Sequence, residues 1–210
     1  MSTARDPKAM VSSASAVLAG RAVPRGSPHW CLAELAGRLV EIAGWRSGAG
    51  FSSAISLVVD AQRSGETAIW VGPRSRSFFP PDAESAGVDL AAFPVARVRE
   101  SSEIPVAADL LARSGAFGLV VLDLGSSTLS LGVLSRLAGL ARAHETAIVL
   151  LSEKAPDRPS LASVVSFRAD TSFKRQADGS FAHELVVSRD RVRGMTWREV
   201  ETRHGPPGLS

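Results

Sequence analysis

Residues 118–125 read Gly-Leu-Val-Val-Leu-Asp-Leu-Gly. The run is apolar without alternation, apart from one acid, Asp123. A strand with one wet face alternates, whereas a strand buried on both faces of a parallel sheet does not. This stretch therefore predicts a central strand that closes on an acid. Upstream, residues 102–115 predict a helix, with Pro105 in its first turn and Gly115 as its stop. Downstream, residues 128–145 place Val133, Leu134, Leu137, Leu140 and Ala141 on one helical face. Residues 146–152 predict a second buried strand. Towards the start, residues 38–44 predict a strand closing on Gly44. Residues 52–65 predict a helix capped by Ser52 or Ser53, with Gly65 just past its end. Residues 67–72 predict a strand, and residues 94–98 a weaker one. After a polar loop at 153–160 the pattern changes. Residues 163–176 and 181–194 alternate on either side of Asp178-Gly179, the signature of an antiparallel hairpin. Together these give an α/β class: a three-layer α/β/α arrangement with a mostly parallel central sheet and a C-terminal antiparallel hairpin.

Composition bounds the rest. The 210 residues are 45% hydrophobic and 21% charged, which are globular proportions. A single cysteine, Cys31, excludes an internal disulfide framework and a cysteine zinc cluster, and suits a reducing, cytoplasmic setting. No apolar run approaches the roughly 18 residues of a membrane span. His29, His144, His183 and His204 are scattered without metal-ligand spacing. The net charge of +3 leans weakly towards an acidic partner or nucleic acid. Residues 1–28, rich in Ser, Ala, Pro and Gly, read as an arm with a short helix near 10–18. Residues 29–194 form the body, and residues 195–210 a tail.

A strand ending at Gly44, a loop, and a helix from Ser52 are where an α/β protein holds phosphate, because backbone N–H groups and the helix dipole face the anion. A P-loop needs a glycine, four residues, then Gly-Lys-Ser/Thr. Here the stretch is Gly44-Trp45-Arg46-Ser47-Gly48-Ala49-Gly50-Phe51-Ser52-Ser53. The glycines and hydroxyls remain and the loop is one residue longer. The lysine position holds Phe51, or Gly50 without the insertion. Phenylalanine supplies no charge to bridge phosphates, and Arg46 precedes the turn. Gly44, Ser47, Gly48, Gly50, Ser52, Ser53 and Asp123 thus outline a degenerate nucleotide site. The plainer alternatives are a structural turn, and an Asp123 that caps the next turn through Ser126 or Ser127.

These residues resemble the RecA recombinase core. The likeness follows element order from about residue 32 to 187. It is carried by the strand at 39–44, the helix and following turn at 52–67, Ala86-Gly87-Val88-Asp89, and the run at 111–123 that enters a Walker B acid at Asp123. The departures matter as much. The Walker A lysine is missing. Arg74 stands near the position of RecA's water-activating glutamate. Both DNA-binding loops are cut short, and RecA's N-terminal helix and C-terminal domain have no counterpart. The resemblance implies a RecA fold kept as a scaffold, with no catalysis, cofactor or metal. Among shortened RecA-like proteins the sequence is most similar to the ImuA family, accessory factors of SOS-induced mutagenic translesion synthesis. This implies ImuB and RecA as protein partners and a cytoplasmic place, nucleoid-associated during DNA damage. The alternatives are a SulA-like inhibitor of cell division, a surviving NTPase using Arg46 and Asp123, and a plain DNA-binding module.

Several residues are candidate partner or DNA contacts. Arg189, Arg191 and Arg193 would share one face of a strand. Arg198 and Arg203 extend that basic region, which a solvated, charge-balanced face would explain equally. Trp197 either anchors a partner or folds back onto the sheet. Phe78 and Phe79, between an Arg/Ser loop and two prolines, read as an exposed patch. Trp45 and Phe51 are expected to plug the vacated phosphate site.

Overall fold

The computed structural model describes residues 27–44, 48–75, 78–155 and 158–203. Residues 1–26 of the arm, together with Trp45, Arg46, Ser47 and His204, on which readings above rest, lie outside the described residues.

The chain runs α1 (Leu32–Leu35), β1 (Leu39–Ala43), α2 (Ala49–Arg63), β2 (Ala68–Pro73), α3 (Pro80–Ser85), β3 (Val95–Val98), α4 (Ile104–Ser114), β4 (Leu119–Gly125), α5 (Leu131–His144), β5 (Ala147–Ser152), β6 (Phe167–Arg175), β7 (Phe181–Asp190) and β8 (Trp197–Arg203). Short 3₁₀ turns lie at Leu90–Ala92 and Ser101–Glu103. The strands form one eight-stranded sheet in the order β3-β2-β4-β5-β1-β6-β7-β8. Pairing is parallel from β3 through β6 and antiparallel at β6–β7 and β7–β8. The α/β class, the mostly parallel sheet and the antiparallel C-terminal strands match the expectation.

Alternation along the strands sends side chains into two cores. Val40, Ile42, Val121 and Val149 join Ile55, Leu57 and Val58 of α2 on one face. Leu39, Val120, Leu122 and Leu150 join Ile104 and Ala108 of α4 and Leu134 and Leu137 of α5 on the other. Helices therefore cover both faces. Every residue of β1, β2, β4 and β5 is buried, the condition that produces near-continuous apolar strands.

Two boundaries differ from the sequence reading. The helix expected at Ser52 begins at Ala49, and its cap is Gly48 at φ 66, a left-handed conformation suited to glycine. No side chain caps it. Ser53 Oγ instead donates to the Ala49 carbonyl at 3.0 Å, and Ser52 N–H donates to the Gly48 carbonyl. The supposed tail also enters the sheet. Residues 197–203 are β8, paired with β7 from Val187↔Trp197 to Phe181↔Arg203. Charged residues on both faces hid this strand. Pairing, and the packing of Trp197 on Phe167 at 6.2 Å, hold it in place rather than a buried face.

Candidate functional site

The candidate site lies at the carboxyl ends of β1, β2 and β4, facing the first turn of α2. Gly44, the last residue before the loop, sits directly beneath α2. A Cβ at Gly44 would stand 2.9 Å from the Gly50 backbone nitrogen and 3.0 Å from Thr171 Oγ1. Only a glycine permits so close an approach. Gly50 is buried against Gly44 and Ile42 in turn.

Phe51 points into an aromatic group. Its ring lies 5.3 Å from Trp70 and 5.9 Å from Phe78. Trp70 and Phe78 are 5.3 Å apart, and Phe78 is 5.8 Å from Phe93. These are the tilted arrangements that ring quadrupoles favour. Phe78 is 7% exposed, whereas Phe79 is 55% exposed. The reading of both as a surface patch is thus corrected for Phe78, which completes the core between α2 and β2. Of the two residues of the expected plug, Phe51 packs into this core cluster and Trp45 lies outside the described residues.

Trp70 and Phe78 also wall a cavity of about 10 Å³ with Gly72, Pro73, Val95, Arg97 and Asp123. That volume is room for about one water. Asp123, at the end of β4, is 6% exposed and lies against Gly72. A Cβ on Gly72 would meet Asp123 Cβ at 3.2 Å. Arg97 reaches over from the edge strand and donates to the Phe78 carbonyl at 3.2 Å. Ser127 N–H, one proposed partner of Asp123, donates to the Leu124 carbonyl. Arg74 is exposed, and its N–H donates to the Val98 carbonyl.

Ser52, the residue that follows the lysine position, is half-buried, and the hydroxyl of its neighbour Ser53 is buried against His183. His183 Nε2 lies 3.0 Å from Ser53 Oγ and 3.2 Å from the Ala49 carbonyl. The Phe173 ring of β6 lies 5.1 Å from the imidazole in a tilted arrangement. Burial pushes the imidazole below the usual histidine range, and the charge of Arg203 adds to this against the opposing pull of the Ala49 carbonyl, Glu201 and Glu199. His183 is therefore a neutral clasp on the first turn of α2. Trp30 clasps the same turn from outside, its indole N–H donating to the Ser53 carbonyl at 2.9 Å and to Ser56 Oγ at 3.1 Å.

The basic stripe does not form. A bulge in the β6–β7 ladder pairs Arg168 with Arg189 but Ala169 with Val187, so the period of two breaks at Ser188. The strand then ends at Asp190, and Arg191 and Arg193 lie in a turn. Arg189 is half-buried, its guanidinium towards the carbonyls of Ala162 and Val165. Arg193 forms an ion pair with Glu34 at 2.5 Å, both side chains 7% exposed. Arg198 pairs with Glu184 at 2.8 Å and Arg203 with Glu201 at 2.9 Å. The Lys174 ammonium, bonded to Glu184 at 2.6 Å, holds that carboxyl below its usual range, and Arg198 adds to the effect. Arg191 is exposed. Trp197 folds back onto the sheet, and its buried indole nitrogen has no hydrogen-bond partner among the described residues.

Residues the sequence reading passed over also shape the region. Glu41, in the middle of β1, is fully buried. Its carboxylate accepts from Ser160 Oγ at 2.6 Å, Leu161 N–H at 2.9 Å and Ser152 Oγ at 3.4 Å. It thereby fixes the loop after β5. Arg38 pairs with Asp190 at 2.7 Å and lies 4.9 Å over the Phe167 ring. An acid inside the otherwise apolar Leu39–Ala43 was the available signal for Glu41.

The chain matches no protein-family model and no curated protein. Among the described residues, no helix is long and apolar enough to cross a membrane, and no group of His, Cys, Asp or Glu is arranged to hold a metal ion.

Proposed function

We propose that this chain is a RecA-like scaffold that performs no nucleotide chemistry and acts through protein contacts. The observation that carries the proposal is the place of Phe51. At the position where a P-loop needs a lysine, its ring joins Trp70 and Phe78, which themselves wall the cavity at Asp123. Phosphoryl transfer depends on positioned charge around the phosphates. Here the side chain from the first turn of α2 is apolar and committed to the core.

The mostly parallel sheet with its antiparallel extension supports the RecA comparison. Following the ImuA resemblance, the scaffold serves DNA damage tolerance, bringing mutagenic polymerases to damaged DNA through contacts with ImuB and RecA. Protein contact is favoured over DNA because Arg193, Arg198 and Arg203 are engaged by Glu34, Glu184 and Glu201 rather than presented as a stripe. Pull-down of the purified chain with ImuB and with RecA tests the proposal. Retention of either supports it, and retention of neither overturns it. Filamentation of overexpressing cells with unchanged mutagenesis would instead favour the SulA-like alternative.

A further inference from the structure

We infer that α4 carries a self-complementary seam on which a second copy of this chain docks antiparallel. The inner side of α4 is settled, since Ile104, Ala108 and Ala112 are buried against the sheet. The opposite side carries Val106 and Leu110, 73% and 64% exposed, the two most exposed large apolar side chains among the described residues. Glu103, at the cap position with a helical backbone (φ −87, ψ −16), precedes them on the same side, and Arg113 follows. The spacing Glu103, Val106, Leu110, Arg113 is three, four, three, the repeat that keeps a seam facing a partner helix.

This order of charges selects the partner and its direction. A two-fold axis level with Ala108 brings Val106 against Leu110 of the partner subunit and Glu103 against Arg113 of the partner subunit, each contact made twice, as an isologous interface requires. A parallel pairing would set Glu103 against Glu103 and Arg113 against Arg113. Within the chain, Arg113 Nε bonds Asp109 at 3.1 Å, and its side chain stays 55% exposed. Glu103 Oε2 accepts from Arg99 N–H at 2.9 Å, which leaves the carboxylate's other oxygen for a partner. Asp109 also binds Arg136 of α5 and so braces the helix from the side. About three helical turns make a small contact, and interfaces under about 1,200 Å² are weak. The association therefore belongs to high local concentration.

Sedimentation velocity of the full chain between about 1 and 500 μM, the range where weak interfaces assemble, tests the inference. The expected result is a sedimentation coefficient that rises with concentration. Glu103→Arg and Arg113→Glu each weaken association at least about tenfold, because each replaces both cross-pairs with like charges. An equimolar mixture of the two single variants recovers association, since the pairs between them are again opposite. A monomer at every concentration overturns the inference, including the case in which this face serves a different protein. Association that ignores both substitutions, or fails to recover on mixing, overturns it as well.

Discussion

His183 is held by α2, β6 and β8 at once, and its protonation couples to the stability of the whole chain. Its folded-state value lies below the ordinary value of about 6.5, chiefly because it is buried. Between those two values the unfolded chain binds a proton that the folded chain does not. The free energy of unfolding therefore rises with pH across the window and falls as the pH drops below about 6.5. Urea unfolding between pH 5 and 7.5 should show this slope, and His183→Gln, which keeps an N–H donor for the Ala49 carbonyl, should flatten it. An unchanged slope in the variant would place the titration elsewhere. Phe51 gives a second expectation at this scale. Its ring is half-buried between Trp70 and Phe78, so Phe51→Ala should cost about 2–3 kcal/mol, somewhat less than a fully buried phenylalanine. The urea midpoint measures it, and a change under about 0.5 kcal/mol would show that the aromatic group does not hold α2 to β2.

At the scale of elements, buried polar groups fix segments that helix and strand propensity leave open. Glu41 ties β1 to the loop after β5. Glu41→Ala leaves the Leu161 N–H without its acceptor and should cost about 2–4 kcal/mol. Hydrogen exchange should quicken at residues 160–162 before it does in β1, whereas uniform quickening would refute a local role. Arg38 and Asp190 similarly bind α1's end to the turn after β7, where Asp190 Oδ1 also accepts from Val192 N–H at 3.0 Å. Asp190→Ala should destabilise by about 3–5 kcal/mol because Arg38 would remain buried without its partner. A thermal melt unchanged from the wild type would contradict it.

The same scale explains what could be read in advance. β1, β4 and β5 announce themselves because burial on both faces leaves mostly apolar residues, and the hairpin does so through Asp178-Gly179, with Gly179 at φ 85. A serine cap is commoner than a left-handed glycine cap, so Ser52 and Ser53 point past the true start of α2 at Ala49. β8 was missed because an edge strand with charges on both faces has no apolar period. Phe78 looked exposed because its neighbours are arginine, serine and proline, while its burial depends on Trp70 and Phe93. The pairing of Arg193 with Glu34 joins residues far apart in sequence, and no local pattern encodes it.

For the whole molecule, the proposed scaffold would keep the α/β frame of a nucleotide crevice and change its contents. Gly44 and Gly50 keep the close backbone approach, while Ser53 is turned to His183 and Phe51 to the aromatic core. Asp123 keeps its place at the end of β4 beside a cavity of about 10 Å³. On the proposed reading the frame serves as a support for surfaces, and α4 would offer one of them. Titration calorimetry of the purified chain with ATP and Mg²⁺ tests this account most directly. No saturable heat up to about 1 mM nucleotide, the weak end of specific binding, is the result it predicts. Saturable binding with phosphate release that disappears in Asp123→Ala would contradict it.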